Sequence, residues 1–291
     1  MTPPVWRTAR FDVDLSRPRV MGIVNTTPDS FSDGGLFADP ADACAHCERL
    51  LRDGADLLDI GGESTRPGAA SPTATEELAR VLPVVRHAVT LGVPVSVDTS
   101  RPEVMRAVLD AGADIVNDVR ALQRPGAVDA VAMHPRAGVC LMHMRGEPGS
   151  MQQQAHYVDV VAEVAEFLGA RARAVVAAGI GRERIVLDPG IGFAKSAEHN
   201  LALLARQREL LAAGLPLLVG WSRKSTLGVL TGRDPGQRVA ASVAAALLAV
   251  ERGASVVRVH DVAPTVDALK VWLSVAALDG AGASSAGTIA A

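Results

Sequence analysis

Eight short apolar runs recur along the chain, with stretches long enough for a helix between most of them. They occupy 20–25, 57–61, 95–98, 115–118, 139–143, 185–188, 217–220 and 256–260. Val, Leu and Ile dominate them, without the polar alternation of a strand that has one wet face. Strands apolar on both faces belong to a parallel sheet covered by helices. Eight such units predict an α/β fold, a closed (β/α)8 TIM barrel rather than an open sheet, and 291 residues suit one such domain.

Helical patterns fill the intervals at 40–53, 75–91, 101–111, 158–178, 237–253 and 264–277, with a short segment near 125–133. Ser100 reads as the N-cap of the third, with Pro102 in its first turn. Residues 1–19 form an N-terminal extension, in which 6–13 reads as a short hairpin closing the barrel bottom. The barrel is set at 20–278. The Gly-, Ala- and Ser-rich tail, 279–291, is expected to be disordered.

With 48% hydrophobic but only 3% aromatic residues, the core must be built mainly from Ala, Val and Leu. A net charge of −3 gives no basis for a nucleic-acid or acidic-membrane partner. No stretch is apolar enough to span a bilayer, and residues 1–20 lack the layout of a signal peptide, so a cytoplasmic location is expected. Cys44, Cys47 and Cys140 are too few, and odd in number, for a disulfide framework. The Cys44-Ala-His-Cys47 pair has no second metal-binding pair to match it. At helical spacing Cys44, Cys47 and Leu51 share one face, so they read as small core residues.

The apolar runs end in polar chemistry. Asn25, Asp98 and Asp188 close three of them, Asn117-Asp118 sits in another, and Met142-His143 closes a fifth. Glu63 to Arg66 follows one run, Ser222-Arg223-Lys224 another, and Arg258, His260 and Asp261 complete the set. In a parallel barrel these ends meet on one rim, where buried polar groups are costly unless paired or used. Asn25, Thr65, Arg258 and His260 suit an anion such as phosphate. Asp98, Asn117 and Asp188 suit a flat heterocycle with several N–H groups, and Lys224 lies between the two zones. Asp118 and Asp261 read as loop anchors. Two Gly- and Pro-punctuated loops, 26–35 and 62–69, follow the first two runs. The Gly190-Ile-Gly-Phe-Ala-Lys195 segment lacks P-loop spacing, so its glycines read as points of close backbone approach beside Asp188.

These residues resemble one family, dihydropteroate synthase. The resemblance is carried by Met21 to Gly35, Asp59-Ile-Gly-Gly-Glu-Ser-Thr-Arg-Pro-Gly-Ala69, Ser96-Val-Asp-Thr99, Val116-Asn-Asp118, Leu141-Met-His-Met144, Leu187 to Lys195, Gly220-Trp-Ser-Arg-Lys-Ser225 and Arg258-Val-His-Asp261. It implies condensation of 6-hydroxymethyl-7,8-dihydropterin pyrophosphate with p-aminobenzoate, a step of folate synthesis releasing pyrophosphate. It further implies that Asp98, Asn117, Met142, Asp188 and Lys224 hold the pterin, and that Asn25, Thr65, Arg258 and His260 hold the pyrophosphate. Mg2+ would bridge Asn25 and phosphate oxygens. Thr65, Arg66, Pro67, Phe193 and Ser222 would shape the p-aminobenzoate site. Asp33, Phe31, Arg66, Lys224, Arg258 and His260 would carry catalysis by a dissociative route without a covalent nucleophile. Sulfonamides would compete for the arylamine site, and a homodimer is expected. A non-catalytic pterin-binding module, as in corrinoid-linked methyltransferase proteins, would not need the anion and arylamine groups present here. Thr26, where the family usually has Val, and Trp221 are small departures; Trp221 is a candidate to line the arylamine side.

Overall fold

The computed structural model describes residues 4–26, 40–63, 71–147 and 151–285, apart from the side chains of 152–153 and 279–285. Two short antiparallel strands, β1 (Val5–Arg7) and β2 (Asp12–Asp14), form an N-terminal hairpin. Eight parallel strands follow: β3 (Arg19–Asn25), β4 (Leu57–Gly61), β5 (Val95–Asp98), β6 (Ile115–Asp118), β7 (Gly138–Met142), β8 (Ile185–Asp188), β9 (Leu217–Val219) and β10 (Ala254–Val259). They close into a barrel, β10 pairing with β3 through Val257 and Val20. The helices are α1 (Pro40–Arg52), α2 (Ala74–Val89), α3 (Pro102–Asp110), α4 (Ala127–Ala132), α5 (Val160–Ala177), α6 (Ala197–Ala205), α7 (Ser225–Thr231), α8 (Val239–Glu251) and α9 (Val262–Ser285). The expected TIM barrel and its hairpin are therefore present.

Period-two alternation separates two environments along each strand. One set, including Val24, Ile60, Val97, Leu141, Leu187 and Val219, packs outward into apolar layers shared with the helices. The other set faces the axis. At the N-terminal end of the barrel it supplies Met21, Leu57, Ile115, Cys140, Val186, Leu218 and Val256, and these enclose the fully buried Trp6. The Trp6 indole donates to the Arg184 carbonyl at 2.9 Å. Arg10 anchors the hairpin further, donating from Nε and Nη2 to the two Asp114 oxygens at 3.0 and 2.6 Å. The hairpin thus fills the barrel floor.

Three local expectations are corrected. Ser100 does not cap α3: its hydroxyl donates instead to Asp118 Oδ1 at 2.5 Å, and Arg101 is the N-cap without a side-chain bond. The buried face of α1 is Ala43, His46, Cys47 and Leu50, one step round from the expected stripe, so Cys44 and Leu51 are only half-buried. Burial pushes the Cys47 thiol up to about 12, leaving it protonated and inert. Finally, α9 continues to Ser285, past the expected barrel end at 278. Among the described residues no helix is long and apolar enough to cross a membrane.

Candidate active site

The axis-facing residues change character at the C-terminal end of the barrel. Gly61, Asp98 and Asn117 lie level with one another in strand register on β4, β5 and β6. Arg258, on β10, pairs in register with Met21 of β3 and turns its side chain into the interior. Nε donates to Asp59 Oδ2 at 2.5 Å and Nη2 to Asp98 Oδ2 at 3.2 Å. Because β3 lies between β4 and β10, the Asp59 contact reaches past one strand within the barrel interior. Asn117 Nδ2 donates to the same Asp59 oxygen at 3.2 Å.

Desolvation raises Asp98 to about 7, with Arg258 opposing and the neighbouring Asp59 adding to the rise. Desolvation disfavours the Arg258 cation, but the Asp59 and Asp98 carboxylates outweigh it and hold the guanidinium above its ordinary value. On β8, burial also raises Asp188, although it accepts the Gly190 N–H at 2.7 Å and feels Lys224 and Arg258. The rim therefore concentrates acceptors whose charge is destabilised until something donates to them.

Lys224, just beyond β9, places Nζ 4.4 Å from the centre of the Phe193 ring, a cation–π contact. Burial, then the nearby Arg258, lowers Lys224 to about 8. Phe193 lies on the loop after β8, which a second lysine fastens through its backbone. Lys195 Nζ donates to the carbonyls of Phe193 at 2.9 Å and Gly190 at 3.0 Å. It also meets His143 Nδ1 at 2.9 Å. Burial, reinforced by Lys195, lowers His143 to about 3, so the ring is neutral and its Nδ1 accepts. His143 thus helps to hold the Lys195 side chain in place. Gly190 is obligatory here: its φ is 68°, and a Cβ would stand 2.0 Å from the His143 carbonyl oxygen.

Ser222 is buried, and its Oγ accepts the His260 backbone N–H at 3.1 Å while lying 3.0 Å from His260 Nδ1. Met142 is 3% exposed and packs with Val119, Met144, Met151 and Ala194, with Phe193 against them. Asn25 ends β3 half-buried, beside Gly61 of β4. Asp118 and Asp261 are anchors, as their sequence context suggests. Asp118 accepts the Arg120 and Leu122 N–H groups at 2.8 Å each, and Asp261 takes a two-pronged bond from Arg223 at 3.1 and 2.7 Å. Trp221 does not line an arylamine site: it continues the outward side of β9 and is buried in the apolar layer with Leu203, Leu217 and Leu227. Thr26 replaces Val without disturbance, donating to the Gly61 carbonyl at 3.0 Å.

Phe31, Asp33, Thr65, Arg66 and Pro67 lie outside the described residues. Two participants escaped the sequence reading. Asp59 is hidden inside an apolar run, where a carboxylate among Leu57, Leu58 and Ile60 is itself the sign of a buried partner. Lys195 reads in the sequence only as the end of a glycine segment, with nothing nearby to reveal its distant His143 partner.

A barrel mouth lined by two raised carboxylates, an amide, a lysine and a guanidinium defines a (β/α)8 enzyme site for a flat, N–H-rich heterocycle. Residues 21–260 match the pterin binding enzyme family. The dihydropteroate synthase of Neisseria meningitidis serogroup B is 54% identical over 94% of this chain and 98% of its own length. The Xanthomonas albilineans dihydropteroate synthase, solved with 4-aminobenzoic acid, superposes with a TM-score of 0.89 at 55% identity, covering 95% of this chain and 99% of that one. The Yersinia pestis enzyme, solved with a sulfonamide drug, gives a TM-score of 0.91 at 47% identity over 94% and 99%. This chain belongs to the dihydropteroate synthase family.

Proposed function

We propose that this chain transfers the pterin methylene group of 6-hydroxymethyl-7,8-dihydropterin pyrophosphate to p-aminobenzoate, giving 7,8-dihydropteroate and pyrophosphate. The observation that carries this reading is the convergence of Asp98, Asn117, Asp188 and Lys224 with Arg258 across one barrel mouth. The acceptors match the ring N–H groups of a pterin, and Lys224 matches its carbonyl. The methylene C–O bond breaks, and pyrophosphate leaves with the electron pair. The aniline nitrogen then bonds to the resulting cation, and its proton passes to water or pyrophosphate. Arg258 and His260, at the end of β10, supply the electrostatic pull on the leaving group. Met142 and Phe193 give the pocket apolar walls. Ser222 and Phe193 flank the arylamine approach, where sulfonamides would bind. By the family pattern Thr65, Arg66 and Pro67 complete that approach, and Phe31, Asp33 and Arg66 assist the chemical step.

Mg2+ belongs to this reading. Asn25 offers one amide oxygen, and among the described residues no three His, Cys, Asp or Glu side chains gather to hold a metal. That donor set fits a hard cation held mostly by substrate phosphates and water. When bound it would neutralise charge on the leaving pyrophosphate.

A homodimer is proposed through the C-terminal helices. Val271, Val275 and Leu278 form one exposed apolar stripe on α9, and Leu248 of α8 is exposed as well. A cytoplasmic site of action agrees with three cysteines held as thiols rather than disulfides. The deciding experiment mixes purified protein, pterin pyrophosphate, p-aminobenzoate and Mg2+ and follows dihydropteroate. Pterin binding without product would reject the reaction.

A further inference from the structure

Asp59 occupies an unusual place. In strand register it lies beside Ser96, two residues before Gly61 on the inward side of β4. It is fully buried, so it is shielded from solvent beneath the rim. Yet its Oδ2 receives two site residues at once: Arg258 Nε at 2.5 Å and Asn117 Nδ2 at 3.2 Å.

The Asn117 contact has a consequence for recognition. The two ends of an asparagine amide have nearly the same shape and opposite polarity. A half-turn about the last side-chain bond exchanges a donor for an acceptor with little change in packing, so neighbours must decide the orientation. Asp59, paired with a guanidinium, can only accept. It therefore selects the NH2 end of Asn117 and turns Oδ1 away from itself.

We propose that Asp59 is a positioning residue that sets specificity by fixing the Asn117 amide, so that the pocket meets its ligand with a defined order of donor and acceptor. The inference rests on the pterin reading above. One Asn117 N–H is held by Asp59, leaving its oxygen and a second N–H for the ligand. That fork complements a ring edge that pairs an exocyclic amine with a ring nitrogen acceptor. It mismatches an edge carrying an oxo group and a ring N–H in those places. By holding Arg258 through Nε, the same carboxylate also aims Nη2 at Asp98. A site built on hydrogen bonds rejects a mismatched edge strongly, because its own buried groups are then left unpaired.

The test compares 6-hydroxymethylpterin, with a 2-amino group, and 6-hydroxymethyllumazine, with a 2-oxo group, by calorimetry. The wild type is expected to prefer the pterin by on the order of a hundredfold. In Asp59→Asn the amide at 117 is no longer forced into one orientation, and the preference should shrink roughly tenfold. Weaker binding of both ligands with an unchanged ratio would overturn the proposal and leave Asp59 a merely structural part. A wild type that binds neither ligand would reject the pterin reading, and this inference with it. If Asp59→Asn does not fold, a neutron crystal structure of the wild type decides: Asn117 deuterons facing Asp59 support the proposal, and an oxygen facing it refutes it.

Discussion

Lys224 holds its ammonium 4.4 Å from the centre of the Phe193 ring, and Lys195 ties down the backbone on which that ring is carried, donating to the Phe193 carbonyl at 2.9 Å. The two lysines therefore act on one loop, one through a ring and the other through the backbone. One presents charge toward the ligand, and the other fixes the aromatic surface beside it.

Pterin affinity should pass through a maximum near neutral pH. Asp98 titrates at about 7 and must be ionised to accept ring N–H groups, so binding strengthens as pH rises through that value. Lys224 titrates at about 8 and must stay protonated to donate, so binding weakens beyond it. The two limbs belong to a coupled set rather than to isolated groups. Calorimetric affinities measured from about pH 5 to about pH 10 check this, since coupled acid and base limbs give a bell-shaped profile. A flat profile would remove both residues from recognition.

Lys195→Met should weaken the fold and the arylamine site together. It strips the ammonium from the Gly190, Phe193 and His143 carbonyls, and unpaired buried acceptors of this kind cost about 2–4 kcal/mol in all. The KM for p-aminobenzoate should rise with it. The pH dependence has a definite sign. Burial lowers Lys195 from 10.5 to about 7, so between those values the unfolded chain holds a proton that the folded one has released. Stability from this group therefore increases as pH rises through that window. Urea midpoints should show that increment in the wild type and lack it in the variant.

Gly190→Ala should abolish activity. The left-handed backbone and the 2.0 Å approach to the His143 carbonyl leave a methyl group no room, so the loop must move away from Asp188. Loss of pterin binding in a chain that keeps its helical circular dichroism is the expected result. Wild-type affinity would show that the loop can be repositioned freely.

Trp6→Ala should separate stability from function. Emptying the floor of a fully buried indole should cost about 3–5 kcal/mol, while KM for both substrates stays at the wild-type value below the unfolding temperature. A changed KM would mean that the floor and rim are mechanically linked.

The barrel is legible in the sequence because its strands are mostly apolar runs and polar residues collect at or just beyond their C-terminal ends. Ile185–Asp188 shows both signs within four residues. What escapes such reading depends on distant partners. Ser100 looks like a helix cap until Asp118, 18 positions later, takes its hydroxyl. Asp59 looks like an irregularity in an apolar strand until Arg258 arrives from the other end of the chain. Trp221 could have been placed by parity, since Leu217 and Val219 face outward and the next odd position continues that side. The Cys44 stripe failed for a similar reason: spacing defines a face, but only the barrel decides which face is turned in.

The Trp6 plug allows the two ends of this barrel to evolve on separate terms. The rim must keep raised carboxylates and a left-handed loop, both of which weigh against folding, so changes that alter ligand choice there begin from a strained position. The floor is a cluster of apolar side chains apart from those groups. Val13, Leu15 and their neighbours around the indole are free to be refined for packing alone. Variants whose rim excludes a rival of the natural arylamine should therefore be found together with compensating changes at the opposite end, far from any atom that reacts.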